Sequence, residues 1–206
     1  IFTNFYNSGW RANTKNVSMG LPSPKKLKSI VEGLGIRNSD HVVLYPKNND
    51  NYSMSEATSI YFSLKYLGHK KISIINGGFK KFKKKYPLMI EEGNLKEVKQ
   101  STYKVFVDNS LLATDSDVFK NLKSKKVLID SREKDFFLGI NKLGSFSDFG
   151  TIGDSINIPS KWNLKSRELE FNNLETLNKI YEYAGVNGKN DSPIFFCYAG
   201  LESSLN

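Results

Sequence analysis

The sequence predicts an α/β protein made of two copies of one module, each a mainly parallel sheet flanked by helices. Three observations carry this. Helical and strand patterns alternate along the chain, which implies parallel pairing in a sheet covered on both faces. Leu27, Ile30, Glu32, Gly35 and Ile36 recur in the same order and spacing as Leu177, Ile180, Glu182, Gly185 and Val186, each set leading through a polar turn to an apolar strand. A chain of 206 residues with 39% hydrophobic and 13% aromatic content is enough for two small cores and excludes wholesale disorder. The modules divide near Gly93 to Ser101, giving expected domains of residues 1–97 and 98–206.

Each element has a local reason. Ser23-Pro24 is an N-cap followed by proline at the first helical position, Leu27, Ile30, Val31 and Leu34 keep helical spacing, and Gly35 stops the helix. His41 to Tyr45 reads as a buried strand. A helix from Ser55 to Leu67 carries Ile60, Tyr61 and Leu64 and ends at Gly68. Ile72 to Ile75 is a strand closed by Asn76-Gly77-Gly78, and a short basic helix follows. In the second half Val105-Phe106-Val107 reads as a strand, Asp115 to Leu122 as a helix and Lys126 to Asp130 as a strand. Gly139 to Gly153 lacks periodicity and reads as a long loop, a length uncommon unless functional or disordered. Leu174 to Ala184 is a helix stopped by Gly185, and Ile194 to Phe196 is a final strand.

Composition narrows the function classes. Lys and Arg number 30 against 21 Asp and Glu, for a formal charge of +9. The lysines cluster at Lys25-Lys26, Lys80 to Lys85 and Lys123 to Lys126 and are not interleaved with stacking aromatics on one platform. They read as solvated surface, or as attraction for small anions, and no nucleic-acid partner is expected. One cysteine excludes a disulfide framework, and two histidines provide no pair at zinc-ligand spacing. No metal and no cofactor are expected. There is no apolar stretch of membrane-spanning length and no signal-peptide pattern, so no membrane partner and a reducing, cytoplasmic setting are expected. The chain begins at Ile1, so its true N-terminus is expected to lie upstream, which leaves organellar targeting open.

The single cysteine, Cys197, follows the apolar run Pro193 to Phe196 and opens the loop Tyr198-Ala199-Gly200-Leu201-Glu202-Ser203. A strand that ends in a nucleophile and turns through small residues into a helix is one way to build an active site, because successive backbone amides stabilise a thiolate or a bound anion. The alternative is a small buried hydrophobe. With a one-residue insertion in the internal repeat, Pro46 falls opposite Cys197, so only the second copy carries a nucleophile.

Five stretches stand in order along the chain: Leu21-Pro22-Ser23-Pro24; Leu67-Gly68-His69 with Ile74-Ile75-Asn76-Gly77-Gly78-Phe79; Leu128-Ile129-Asp130-Ser131-Arg132; Ser155-Ile156-Asn157-Ile158-Pro159; and Cys197-x-x-Gly200. Together they resemble the tandem-domain rhodanese family, the thiosulfate and 3-mercaptopyruvate sulfurtransferases. The resemblance implies two rhodanese-like domains with both chain ends incomplete: a first strand before Ile1, and a helix from near Ser203 running past Asn206. It implies a sulfur relay in which Cys197 forms a persulfide with a small anionic donor, thiosulfate or 3-mercaptopyruvate, and passes it to a thiol or cyanide. Tyr198, Ala199, Gly200, Leu201, Glu202 and Ser203 would bind substrate, their amides and the following helix lowering the cysteine pKa. Asp130 and Arg132 would support the fold behind the loop.

The sequence also departs from the family's pattern. Two substrate-binding arginines fall near Phe136 and Ser145, neither able to pair with a carboxylate; Lys134 and Lys142 are the nearby substitutes. The loop position two after the cysteine is Ala199, a first-domain histidine and its aspartate fall near Ser18 and Asn7, and a histidine-isoleucine-proline-glycine segment is Thr151-Ile152-Gly153-Asp154. Glu202 puts negative charge where an anion should be attracted. The alternative function is therefore a catalytically weak or inactive module for partner binding or sulfur carriage. A phosphatase is disfavoured, since the sixth residue after Cys197 is Ser203 and not the phosphate-binding arginine.

Overall fold

A computed structural model describes residues 2–13, 18–46, 48–91, 93, 97–124, 127–144, 148–165, 169–187 and 192–206. The chain divides into two compact units, Ile1–Leu112 and Ala113–Asn206.

The first unit contains α1 (Pro24–Gly33), β1 (Val42–Leu44), α2 (Asn51–Tyr66), β2 (Ile72–Ile74) and α3 (Gly78–Lys85). The two strands pair in parallel, Val42 opposite Ile72. The Ser23 side chain caps α1 by accepting the Lys26 amide at 3.3 Å, with Pro24 in the first turn. α2 starts earlier than Ser55 because the Asp50 carboxylate accepts the Ser53 amide at 2.8 Å. The helix is enclosed on most sides: Met54, Ala57, Ile60 and Leu64 are buried together with Ser53, Ser55, Thr58, Ser59 and Ser63. The small hydroxyls turn back on their own helix, Thr58 to the Ser55 carbonyl at 3.1 Å and Ser63 to that of Ser59 at 2.9 Å. That spares the core orphaned polar groups.

The expected boundary at residue 97 moves. Residues 98–112 belong to the first unit, because their polar groups are spent on it. The Ser101 amide donates to the Glu32 carbonyl, the Tyr103 amide to the Glu32 carboxylate, and Asn38 and Lys104 exchange two hydrogen bonds of 2.8 Å. Val105 to Val107 is not a strand. The Phe106 and Asp108 amides instead donate to the Leu67 and Tyr66 carbonyls, capping the C-terminus of α2. Tyr103 is buried against His69, ring centroids 5.7 Å apart, and its hydroxyl meets His69 Nδ1 at 2.9 Å. His69 Nε2 faces the Asp40 carbonyl at 3.1 Å, so Nε2 carries the proton there. Burial pushes the Tyr103 hydroxyl up to about 12.

The second unit contains α4 (Asp115–Ser124), β3 (Leu128–Asp130), α5 (Lys134–Phe137), β4 (Ile156–Asn157), α6 (Leu174–Tyr183), β5 (Ile194–Phe196) and α7 (Glu202–Leu205). Its three strands lie in the order β4-β3-β5, all parallel, with Ile129 opposite both Ile156 and Phe195. Ile129, Ile158 and Ala184 form the buried centre, with Val127, Ile156, Ile180, Tyr181, Val186 and Phe195 packed around it. The strand expected from Lys126 is described from Val127 onward, Lys126 lying outside the described residues.

The internal repeat is visible as geometry. At the end of α1 the Gly35 amide donates to the Glu32 carbonyl at 2.9 Å and the Ile36 amide to that of Val31 at 3.2 Å. At the end of α6 the Gly185 amide donates to Glu182 at 2.9 Å and Val186 to Tyr181 at 3.0 Å. Both glycines have a left-handed φ, +70° and +76°. Gly68 ends α2 in the same way at φ +81°, and a Cβ there would lie 2.4 Å from the Phe106 carbonyl oxygen. Gly68→Ala should therefore destabilise the protein by roughly 2–4 kcal/mol, through left-handed strain and the backbone clash. Gly33→Ala, on a helical residue with open space around it, should be neutral or stabilising by up to about 1 kcal/mol. Denaturant midpoints of the two variants check the contrast; equal midpoints would contradict it.

Candidate active site

The centre of the second unit's sheet ends in a charged residue that solvent does not reach. Asp130, the last residue of β3, is 0% exposed. Its carboxylate accepts from the Arg132 backbone amide at 3.0 Å, Arg132 Nε at 2.9 Å, Arg132 Nη2 at 2.6 Å and the Thr151 hydroxyl at 2.7 Å. Arg132 Nη2 also donates to the Gly150 carbonyl at 2.8 Å. Hydrogen bonding to Asp130 holds the guanidinium above its ordinary pKa, against the opposing effect of burial. Asn157 of β4 donates to both the Asp130 and Arg132 carbonyls at 2.9 Å. Asp130 and Arg132 thus form a frame, fastening the loop at 150–151 through their side chains and holding Asn157 of β4 through their backbone carbonyls.

Cys197 sits on that frame. It follows β5, whose Phe196 carbonyl accepts the Ser131 amide at 2.9 Å, and it is partly exposed. The Gly200 amide donates to Sγ at 3.1 Å, and the thiol lies 3.5 Å from the Ser203 hydroxyl. Gly200 takes φ +70°, which aims its N–H back at the sulfur. Leu201 and Leu205 are buried and anchor the loop and α7. Tyr198 lies between two partners, the Arg132 guanidinium 4.6 Å from its ring centroid and the Phe136 ring edge-on at 5.6 Å. A shallow cavity of about 260 Å³ opens over the sulfur, lined by Arg132, Asp148, Phe149, Thr151, Ile152 and Cys197 among others.

The comparisons with known proteins agree on one origin. Residues 7–85, in the first unit, match the rhodanese-like domain. The thiosulfate sulfurtransferase of Cricetulus griseus is 34% identical over 152 residues, covering 72% of this chain and 50% of that protein. A putative thiosulfate sulfurtransferase of Mycolicibacterium smegmatis is 30% identical over 191 residues, 87% of this chain and 64% of that protein. The chain belongs to the rhodanese family. It spans about half the length of the first of these relatives. Among solved structures, SseA of Escherichia coli, a 3-mercaptopyruvate sulfotransferase of rhodanese fold, aligns over 100% of this chain and 73% of its own, with TM-score 0.82 and 20% identity. EanB, solved as a cysteine persulfide with ergothioneine, aligns over 96% of this chain and 50% of its own, with TM-score 0.79 and 16% identity. These two likenesses show the rhodanese fold.

Within that family frame, the departures acquire places. Phe136, at the expected position of a substrate-binding arginine, packs on Tyr198 and offers no charge. Ser145 lies outside the described residues. Lys134 is exposed at the start of α5, whereas Lys142 stands 5.0 Å over the ring of Phe149, which lines the cavity. Thr151 takes up an Asp130 lone pair and meets the Ser155 hydroxyl at 3.0 Å. Ser18 and Asn7 make local turn contacts, Ser18 to Asn13 and the Asn7 amide to Asn4. Ala199 brings neither hydroxyl nor charge to the loop. Among the described residues no His, Cys, Asp and Glu group could hold a metal ion.

One expectation reverses. The loop was expected to lower the cysteine pKa, but burial pushes the Cys197 thiol up, the Glu202 carboxylate adds to the rise, and Ser203 opposes it. Glu202 is the first residue of α7, so a carboxylate stands beside the sulfur. Sequence reading missed Asp148 and Phe149 as cavity walls and Thr151 as an Asp130 ligand; the only signal was an aperiodic loop too long to be idle.

Two outcomes follow. Alkylation of Cys197 by iodoacetamide, followed against pH, should have its midpoint above that of a free thiol, and Glu202→Gln should lower the midpoint and speed alkylation at neutral pH roughly 3–10-fold. An unchanged midpoint would mean that the Glu202 charge does not reach the sulfur. Arg132→Ala leaves Asp130 buried without its cation and should cost about 3–5 kcal/mol, read as a lowered denaturation midpoint.

Proposed function

We propose that the protein is a sulfurtransferase that carries sulfane sulfur on Cys197. The carrying observation is the sulfur at the end of β5, met by the Gly200 amide and the Ser203 hydroxyl and facing an open cavity. In this reading the thiolate attacks the outer sulfur of thiosulfate. The S–S bond breaks, sulfite leaves with the bonding electrons, and Cys197 holds a persulfide. A thiol or cyanide then attacks the terminal sulfur and the Cys197 thiolate is released. With 3-mercaptopyruvate the thiolate attacks the donor sulfur, the C–S bond breaks, and the enolate of pyruvate leaves with the bonding electrons and takes up the donor thiol's proton. The Gly200 and Ser203 groups stabilise the anionic sulfur in both halves, while Tyr198 and Leu201 hold the loop in shape. No cofactor or metal is required, and the partners are the small sulfur donor and the thiophilic acceptor. The names of the relatives support the reaction class.

A second reading has its own observations. Arg132, the basic group nearest the loop, is engaged by Asp130, Gly150 and the Tyr198 ring. Phe136 carries no charge to pair with an anion, and burial, with the Glu202 carboxylate adding to it, pushes the Cys197 thiol up. These favour a catalytically weak or inactive module that binds a partner or carries sulfur for one.

Intact mass after incubation with thiosulfate or 3-mercaptopyruvate separates the two. The first reading expects a gain of one sulfur, absent in Cys197→Ala and removed by cyanide. A folded protein that gains no sulfur from either donor overturns it in favour of the second.

A further inference from the structure

We propose that α3 and the turn that follows it form a docking surface for an anionic membrane. α3 places Lys80, Lys81, Lys83, Lys84 and Lys85 on its exposed side, and no acidic residue occurs from Gly78 to Ile90; the next is Glu91. The other side of the helix is used up within the first unit. The Phe79 ring stacks on Tyr45 at 5.2 Å, and Phe82 packs against Tyr86 at 5.3 Å. Directly after the helix, the turn Pro87–Met89 presents Leu88 at 100% exposure and Met89 at 72%. Two adjacent aliphatic side chains therefore stand in water directly beside five lysines.

The two halves of the surface suit one occupant. Anionic headgroups attract the lysines, and the acyl boundary beneath them takes Leu88 and Met89, as in interfacial helices that combine a polybasic face with inserted apolar side chains. A nucleic acid would satisfy the lysines alone. The aromatic rings on which bases would stack are already paired with other rings, and the phosphate backbone has nothing for Leu88 and Met89. This association is peripheral. Among the described residues no helix is long and apolar enough to cross a membrane. The surface is independent of Cys197 and of the sulfur reaction.

Flotation with vesicles of phosphatidylcholine, with and without phosphatidylserine, tests the proposal. The protein should float with the anionic vesicles only, and high salt should release it. Lys83→Glu with Lys84→Glu should weaken binding about tenfold or more. Leu88→Ser with Met89→Ser should weaken it several-fold without altering the circular dichroism spectrum, since both side chains are exposed. No flotation with anionic vesicles at low salt overturns the proposal. So does binding that ignores the Leu88 and Met89 changes and is competed by an oligonucleotide, which would assign the lysines to nucleic acid.

Discussion

The second unit is organised around the pairing of Asp130 with Arg132. Both residues are buried, and a buried ion pair is stable only when its remaining lone pairs and protons are satisfied. Here each partner's demands recruit a different segment. Asp130 draws in the Thr151 hydroxyl, and Arg132 reaches the Gly150 carbonyl, so the long loop is fastened at 150–151. The guanidinium then has a flat face for the Tyr198 ring. The carbonyls of the same two residues hold Asn157. The loop and the cysteine turn are thus fastened by one pair of charges at the end of β3, and β4 by the backbone of the same two residues.

That dependence explains why much of the architecture was legible in the sequence. Helix ends were read correctly where a single residue decides the geometry, as at Gly35, Gly68 and Gly185. The repeat was legible because its glycines and the apolar residues beside them meet the same two requirements in each copy, a left-handed cap and a buried face. Misreadings fell where tertiary partners decide. Asp50 lengthens α2 by one side-chain hydrogen bond, a choice that a polar residue among several others does not advertise. Val105 to Val107 has strand-like composition, yet the Phe106 amide, with that of Asp108, satisfies orphan carbonyls at the end of α2, which cap accounting reveals only once the two segments are side by side. The boundary error at residue 97 has the same origin.

The site was less legible than the fold because its chemistry is set by charges brought together from distant segments. Cys197 stands out in the sequence by its position after a strand. Its pKa direction depends on how the sulfur is buried and on Glu202, and the expected depression assumed that loop amides and a helix end would dominate. Desolvation and a neighbouring carboxylate both favour the neutral thiol, and together they outweigh the opposing hydrogen bonds of Ser203. Glu202 was visible as an opposing charge in the sequence; its weight against the amides was not.

Framework and chemistry are therefore separable in this chain. Removing Arg132 would orphan a carboxylate at the centre of the sheet, so the pair is held in place by stability whether or not Cys197 reacts. Phe136 carries no such burden toward Asp130. It can be an apolar edge on Tyr198 without disturbing the frame, and what it gives up is charge for a donor. Ala199 is alike in this respect. The features that identify the family are those that folding requires, and the groups that would select a sulfur donor sit where folding makes little demand. Cys197 keeps a well-formed loop on that frame, and in the proposed reaction the choice of donor would fall to the cavity walls, Asp148 and Phe149 with Lys142 beside them, and not to the motif that contains the cysteine.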